Sequence, residues 1–424
     1  MATLHLRGGR IVDPASGRDE IGDLWITAGQ IRHSRPAAEP DDVFDVRGCI
    51  VAPGFIDCRA TFGEPGYEED ETISSGSAAA VAGGFTSIAA MPETDPVVDT
   101  RAAAEFVSRQ AERAGLCRVY PLGAVTKSAK GQELAEIGQL IDGGAVAFTD
   151  GKRPVANAEV LRRALQYTGM QDRAILQHSQ VPELVAGGVM HEGFYSTLLG
   201  LRGMPAAAEE IAVRCNIALA EATGGRIHLM GISTRNSVDE IRQAQARGVR
   251  VTADATPYHL LLTDQCLEGF DPNYKIDPPL RTADHAAALI EGLKDGTIGI
   301  ISADHRPIAA EKKLRELDQA PFGICGLETL LPLCIEALIL PGRLSWPELL
   351  AKLTTGPAEL LGVPGGTLME GGPGDVTVID PDAPWTIDAA RFRSLSRNTP
   401  FHGRSVRGQV RLTIVGGRVC HQPE

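Results

Sequence analysis

No CxxC pair, no surplus of positive charge and no apolar run of bilayer-spanning length occur in this 424-residue chain. Each absence removes a class of function. The eight cysteines stand far apart, at 49, 58, 117, 215, 266, 325, 334 and 420, which sets aside zinc-ribbon and thioredoxin-type chemistry and leaves reduced, mostly packed thiols. With 41 Lys and Arg against 54 Asp and Glu, the net charge is −13, so a nucleic-acid or anionic membrane surface would work against the protein's own field. Neither partner is expected. The longest apolar run, Leu330 to Leu340, is broken by Glu336 and falls well short of the roughly 20 residues a membrane helix needs. The amino terminus carries no charged-then-apolar leader, and a cytoplasmic location is expected. No glycine fingerprint opens a first helix, and no P-loop or Ser-His-Asp order is present.

What is present is a repeat. Short Val, Ile, Ala and Leu runs that end in polar residues alternate with helical patterns that close near glycine. The runs are 50–59, 86–91, 119–125, 145–150, 174–179, 226–233, 249–256 and 298–305. They are nearly continuous in apolar residues, as strands buried on both faces should be. Between them, Ser237 with Glu240, Asn157 and Asp284 are expected helix caps. Eight strands with right-handed helical crossovers predict an α/β fold, a (β/α)8 TIM-like barrel over residues 50–364, with an open doubly wound sheet as the competitor. The ends alternate like antiparallel strands, and LRGGRIVD near the start is echoed by IVGGRVCH near the finish. Residues 1–49 and 365–424 are therefore expected to build one small composite β-sandwich, each echo being a strand that turns at Gly-Gly. Barrel chemistry sits at strand carboxyl ends, and the long segments 263–281 and 306–328 are placed to cover it.

The segments PGFIDCRATFGEPGYEED, AAVAGGFTSIAAMPETDPVVDT, HLLLTDQCLEGFDPNYKIDPPLR, APFGICGLETLLPL and NTPFHGRSVRGQV resemble dihydroorotases of the amidohydrolase superfamily, in order and over nearly the whole chain. The resemblance implies a metal-dependent barrel enzyme that hydrolyses the cyclic amide of dihydroorotate in pyrimidine biosynthesis. Such chemistry needs a dication held by imidazoles and carboxylates at the barrel mouth.

Against the family pattern D-x-H-x-H-x-R-E-P-G, this chain has Arg59 and Thr61 at the histidine positions and Gly63 at the arginine that holds the substrate carboxylate. The strand-six pattern H-x-x-H-I-S-T has Gly231 at a ligand histidine. After strand four the family's Asp-Asp-Gly is Asp150-Gly151-Lys152, which leaves one carboxylate of the pair. Only His178 and Asp304 stand plainly at ligand positions. Substrate positions are changed as well: asparagines of the family are Glu93 and Asp277, and a histidine is Ile308. Dihydroorotate and carbamoyl aspartate are anions, so loss of an arginine and gain of two carboxylates opposes their binding. At ~4 Å, Arg59 would repel a dication by about 8 kcal/mol at an effective dielectric near 20, and it is expected to pair with Asp304 or Asp150 in the vacated space.

The expectation is a catalytically inactive member, with no metal cofactor. Non-catalytic dihydroorotase-like proteins of this resemblance serve as assembly partners of aspartate carbamoyltransferase, which implies a homo- or hetero-oligomer. One alternative is an active zinc-dependent cyclic amidohydrolase with a reduced or mononuclear site of His178, Asp304 and Asp150. Another is a small-molecule binding or sensing protein that uses a pocket of Arg59, Glu93, Asp277 and Asp304. His228 and His259 are expected to be packed or bonded to backbone, and His305 beside Asp304 is a candidate residual acid or base. Lys152 is expected to be a solvated loop residue, and Cys58 is expected to face the helices, opposite to Arg59.

Overall fold

A computed structural model describes residues 3–37 and 39–423. Its strands are β1 Thr3–Asp13, β2 Arg18–Thr27, β3 Gln30–Arg32, β4 Asp42–Asp45, β5 Ile50–Pro53, β6 Phe55–Ala60, β7 Phe85–Ala90, β8 Arg118–Gly123, β9 Ala147–Phe148 and β10 Ala174–His178. They continue with β11 Met190–His191, β12 Gly203–Met204, β13 Arg226–Met230, β14 Val251–Ala255, β15 Ile300–Ile301, β16 Val376–Thr386, β17 Ser405–Val415 and β18 Arg418–His421. All eight apolar runs of the sequence contain a strand of one parallel sheet, in the order β15-β14-β13-β10-β9-β8-β7-β6. A parallel bridge between Ala60 and His305 joins its two edges, so the sheet closes into a (β/α)8 barrel and the open-sheet alternative falls. Ile56, Ala89, Leu122, Leu176 and Met230 pack together inside it, as side chains from successive strands fill a barrel of this size.

The first run is not one strand. It breaks at Gly54: β5 pairs with β1 and β16 in the terminal sheet, and β6 begins the barrel. Residues 50–53 thus belong to the composite domain, which shifts the expected boundary by one short strand. The break is steric, because a Cβ at Gly54 would lie 2.2 Å from the buried Thr86 side chain.

The composite sheet runs β18-β17-β16-β5-β1-β2-β3, with β4 on β1. Pro373 bridges to Gln30 and Gly417 N donates to Gly374 O, so the sheet curls around Leu6, Ile26, Val378 and Ile414. The two Gly-Gly echoes do different jobs. Gly416-Gly417 turns β17 into β18, whereas Gly8 and Gly9 lie within β1 at a register shift. The helix caps also need adjustment. Asn157 caps Ala158–Gly169 as expected, but Thr234 and Thr282 precede the other two helices in place of Ser237 and Asp284. Among the described residues no helix is long and apolar enough to cross a membrane.

Replacing Gly54 with alanine forces overpacking at the junction of the two sheets and is expected to cost about 1–3 kcal/mol. Gly269→Ala, where an added Cβ meets nothing within 4 Å, should change stability by under about 0.5 kcal/mol. Urea midpoints at unchanged slope measure both.

Candidate functional site at the barrel mouth

Arg59 is the penultimate residue of β6, and its guanidinium turns into the barrel mouth. Arg59 is 2% exposed and Asp254, on β14, is 0% exposed. Nε donates to Asp254 Oδ2 at 3.0 Å and Nη2 to Oδ1 at 2.7 Å, a forked pair. Nη1 contacts Asp304, which follows β15 with its backbone at φ 41. Lys152 Nζ reaches the same carboxylate at 3.0 Å and donates to the Asp277 carbonyl at 2.6 Å. His228 Nε2 lies 3.0 Å from Asp254 Oδ2. The mouth is therefore floored by a chain of alternating charge from Asp254 through Arg59 and Asp304 to Lys152, with His228 bonded to its first member.

Burial would raise the carboxyls of Asp254 and Asp304, yet their partners outweigh it: the Arg59 cation and the hydrogen bond to His228 at Asp254, and the Arg59 and Lys152 cations at Asp304. Both carboxyls are held below their ordinary range. Asp57 behaves oppositely. Its carboxyl is buried between the ends of β6 and β15 and pushed up to about 6, although it accepts from Arg59 N, Ser302 Oγ and Ala303 N.

Several expectations change here. Arg59 meets Asp304 but not Asp150, whose carboxylate accepts from Thr126 N and Oγ1. The second anion is Asp254, which the sequence reading missed although a carboxylate inside the run VTADAT is itself a sign of a buried partner. Lys152 is not a solvated loop residue; its side chain is 15% exposed and straps the mouth. Cys58 does not face the helices. A register shift between Asp57 and Ala60 interrupts the two-residue alternation, and Cys58 packs inside the barrel with Ile56 and Met230.

His178 ends β10 fully buried, with Nδ1 unpartnered and Nε2 3.2 Å from Asp277 Oδ2 without hydrogen-bond alignment. Asp277 also accepts from Gln180. Glu93 is ion-paired with Arg306 at 3.1 Å, so the cation beside it is already neutralised. Ile308 N donates to Asn398, and its side chain lines a cleft of about 250 Å3 with Lys152, Asp277, Asp304 and Arg306. Thr61, Glu93 and Asp150 line an adjoining cleft of about 450 Å3, which shares Arg306 and Ile308 with the first. Arg59 lines neither cleft, which removes it from the expected four-residue pocket. His259 lies between Thr256 Oγ1 and the Pro278 carbonyl. His305 is buried, 3.6 Å from Glu71, with Nδ1 accepting from Gly326 N. Neither histidine faces the clefts as an acid or base.

Two glycines set the shape. A Cβ at Gly231, φ 60, would stand 3.1 Å from Arg59 Nη2. A Cβ at Gly63 would stand 2.1 Å from the Tyr67 carbonyl and 2.8 Å from that of Glu71. The first leaves room for the guanidinium. The second excludes any side chain from the position of the missing arginine unless the backbone moves.

The match to known proteins is extensive. The family model described as dihydro-orotase-like matches residues 48–237, and one described as amidohydrolase family matches residues 326–421. A dihydroorotase of Pelotomaculum thermopropionicum is 48% identical over 423 residues, 99% of this chain and 98% of that protein. A dihydroorotase of Solibacter usitatus is 45% identical over 97% of this chain and 96% of that protein. The chain belongs to the dihydroorotase family. Among solved structures, the L-hydantoinase (dihydropyrimidinase) of Arthrobacter aurescens superposes with TM-score 0.87 at 26% identity, covering 100% of this chain and 96% of that one. The dihydropyrimidinase of Brevibacillus agri, at 21% identity and TM-score 0.85 over 99% of this chain and 95% of that one, shares the fold.

Members of the amidohydrolase superfamily use a divalent metal, and the dihydroorotase mouth of this chain does not fit one. Arg59, Thr61 and Gly231 offer no imidazole. Asp304 is committed to Arg59 and Lys152, Asp150 is committed to Thr126, and the carboxylate beside His178 is Asp277, which also accepts from Gln180.

Breaking a buried ion pair from one side costs about 3–5 kcal/mol, and Arg59→Met should lose that much at pH 8. In the wild type the depressed Asp254 carboxyl contributes stability that is present above its unfolded value and lost as pH falls. In the variant the same carboxyl, buried without its cation, rises above its unfolded value, so its cost falls as pH falls. The deficit of Arg59→Met measured by urea unfolding should therefore shrink from pH 8 to pH 5.

Proposed function

We propose that this dihydroorotase-family chain serves pyrimidine biosynthesis without itself closing or hydrolysing the ring, as an assembly partner of aspartate carbamoyltransferase. One observation supports the first half: the Arg59 guanidinium, at a position where the family pattern has a histidine, is locked between Asp254 and Asp304. Lys152 and Arg306, the cations that line the cleft, are each bound to a carboxylate of the protein and offer little to an anionic substrate. The partnership rests on resemblance, since loss of chemistry with retention of the whole fold leaves a surface as the working part.

The names of the relatives favour a second reading. Proteins 45–48% identical over 97–99% of this chain are called dihydroorotase, and activity of that kind here would have to use His178, Asp304 and Asp150 as a reduced or mononuclear zinc site. The two readings part cleanly in the test tube.

Purified native protein is expected to carry less than a tenth of an equivalent of transition metal, to keep its Tm in chelator, and to form no dihydroorotate from carbamoyl aspartate. It is expected to co-elute with the carbamoyltransferase of its own organism. Stoichiometric metal with brisk cyclisation would overturn the first half, and separate elution would overturn the second. Restoring histidine at 59, 61 and 231 together should not yield turnover, because Gly63 has no room for the carboxylate-binding arginine and positions 277 and 308 remain Asp and Ile; steady-state cyclisation kinetics of that triple variant measure this.

A further inference from the structure

Behind the guanidinium lies a second set of donors. Cys58 Sγ, His228 Nε2 and an Asp254 oxygen lie within 4.8 Å of one another, all three residues buried. His228 is the first histidine of the strand-six pattern, whereas Cys58 and Asp254 are not among the family positions compared above. Thiolate, imidazole and carboxylate form a donor set for zinc-class ions. Bonds of about 2.0–2.3 Å in a tetrahedron put such donors roughly 3.3–3.6 Å apart, and His228 Nε2 already stands 3.0 Å from Asp254. The other ring nitrogen of His228 is bonded to Thr252 Oγ1 at 2.9 Å, the outer contact that fixes a ligating imidazole with its free nitrogen turned inward.

What bars an ion is Arg59, which takes both oxygens of Asp254 and supplies the positive charge the cluster needs. Burial, with Asp254 and Asp57 nearby, pushes the Cys58 thiol well up, so without an ion it stays protonated and uncharged. Given the reading that no metal occupies the mouth above, we propose that Cys58, His228 and Asp254 are the donors of a zinc-class site whose resident occupant is the Arg59 guanidinium, guanidinium and ion excluding one another.

Cobalt(II) is the probe, because thiolate-to-cobalt charge transfer reports Cys58 directly. The double variant Arg59→Ala/Asp304→Asn removes one cation and one anion together, so the remaining charges stay balanced. It is expected to bind one cobalt per chain, with the thiolate band and a raised Tm, whereas the wild type in tenfold excess cobalt shows neither. Adding Cys58→Ser should abolish the band. A thiolate band in the wild type would show that Arg59 does not exclude the ion. A folded double variant without the band, or a band that survives Cys58→Ser, would show that the donors are wrong. If the double variant folds only with an ion, refolding in cobalt against magnesium decides: recovery in cobalt supports the site, and failure in both overturns it. Failure of the functional reading is seen separately, as cyclisation by the wild type or as bound metal without a thiolate signature.

Discussion

The forked bond between Arg59 and Asp254 is the constraint around which the mouth of this barrel is arranged. A guanidinium 2% exposed is tolerated only where its charge and donors are met. Asp254 meets two of its nitrogens and Asp304 the third. The dependence spreads outward from there. Asp304 takes a backbone angle that L-residues rarely adopt and is shared with Lys152. Lys152 in turn holds the Asp277 carbonyl, which anchors the 263–281 segment over the opening. The long loop is thus tied to the ion-pair chain at Asp277 and fixed elsewhere by the buried Leu267, Ile276 and Leu280.

The body of the barrel owes little to this chain. Its interior is filled by aliphatic side chains from successive strands below the mouth, and its outer core packs Phe55, Phe85 and Phe148 among the surrounding helices. Apolar burial of this kind does not depend on which polar groups top the strands. A dihydroorotase fold can therefore persist while groups at its strand ends change, which is how 45–48% identity over nearly the whole chain to proteins named dihydroorotase coexists with Arg59, Thr61 and Gly231 at the mouth.

How much of this could be read from residues alone follows the same division. The eight strands, the composite terminal sheet and the exchanges at 59, 61, 63 and 231 were legible, because they rest on local apolar pattern and on motif position. Three features were not. The break at Gly54 depends on Thr86 across the sheet, Cys58 turns inward because a register shift defeats simple alternation, and Lys152 reaches Asp304 across 152 residues of chain. Asp150 was a plausible partner for Arg59 by its strand position, but Thr126 at the end of the neighbouring strand claims it first. Each miss is a contact between distant segments, for which the local sequence carries a residue type but no geometry.

The exchanges at the mouth are also unequal in what they require of one another. A side chain at 231 would place its Cβ 3.1 Å from Arg59 Nη2 and 3.2 Å from Pro278 Cδ, on a backbone with φ 60 that L-residues rarely adopt. A histidine there would crowd the guanidinium and Pro278, so position 231 is coupled to Arg59. Gly63 is held by a different neighbourhood, the Tyr67 and Glu71 carbonyls, and Tyr67 N closes back onto Gly63 O at 2.6 Å. The glycine at 63 and the arginine at 59 are therefore separate structural facts with separate neighbourhoods. Reversing one leaves the other intact, so no single substitution restores the family pattern at both positions.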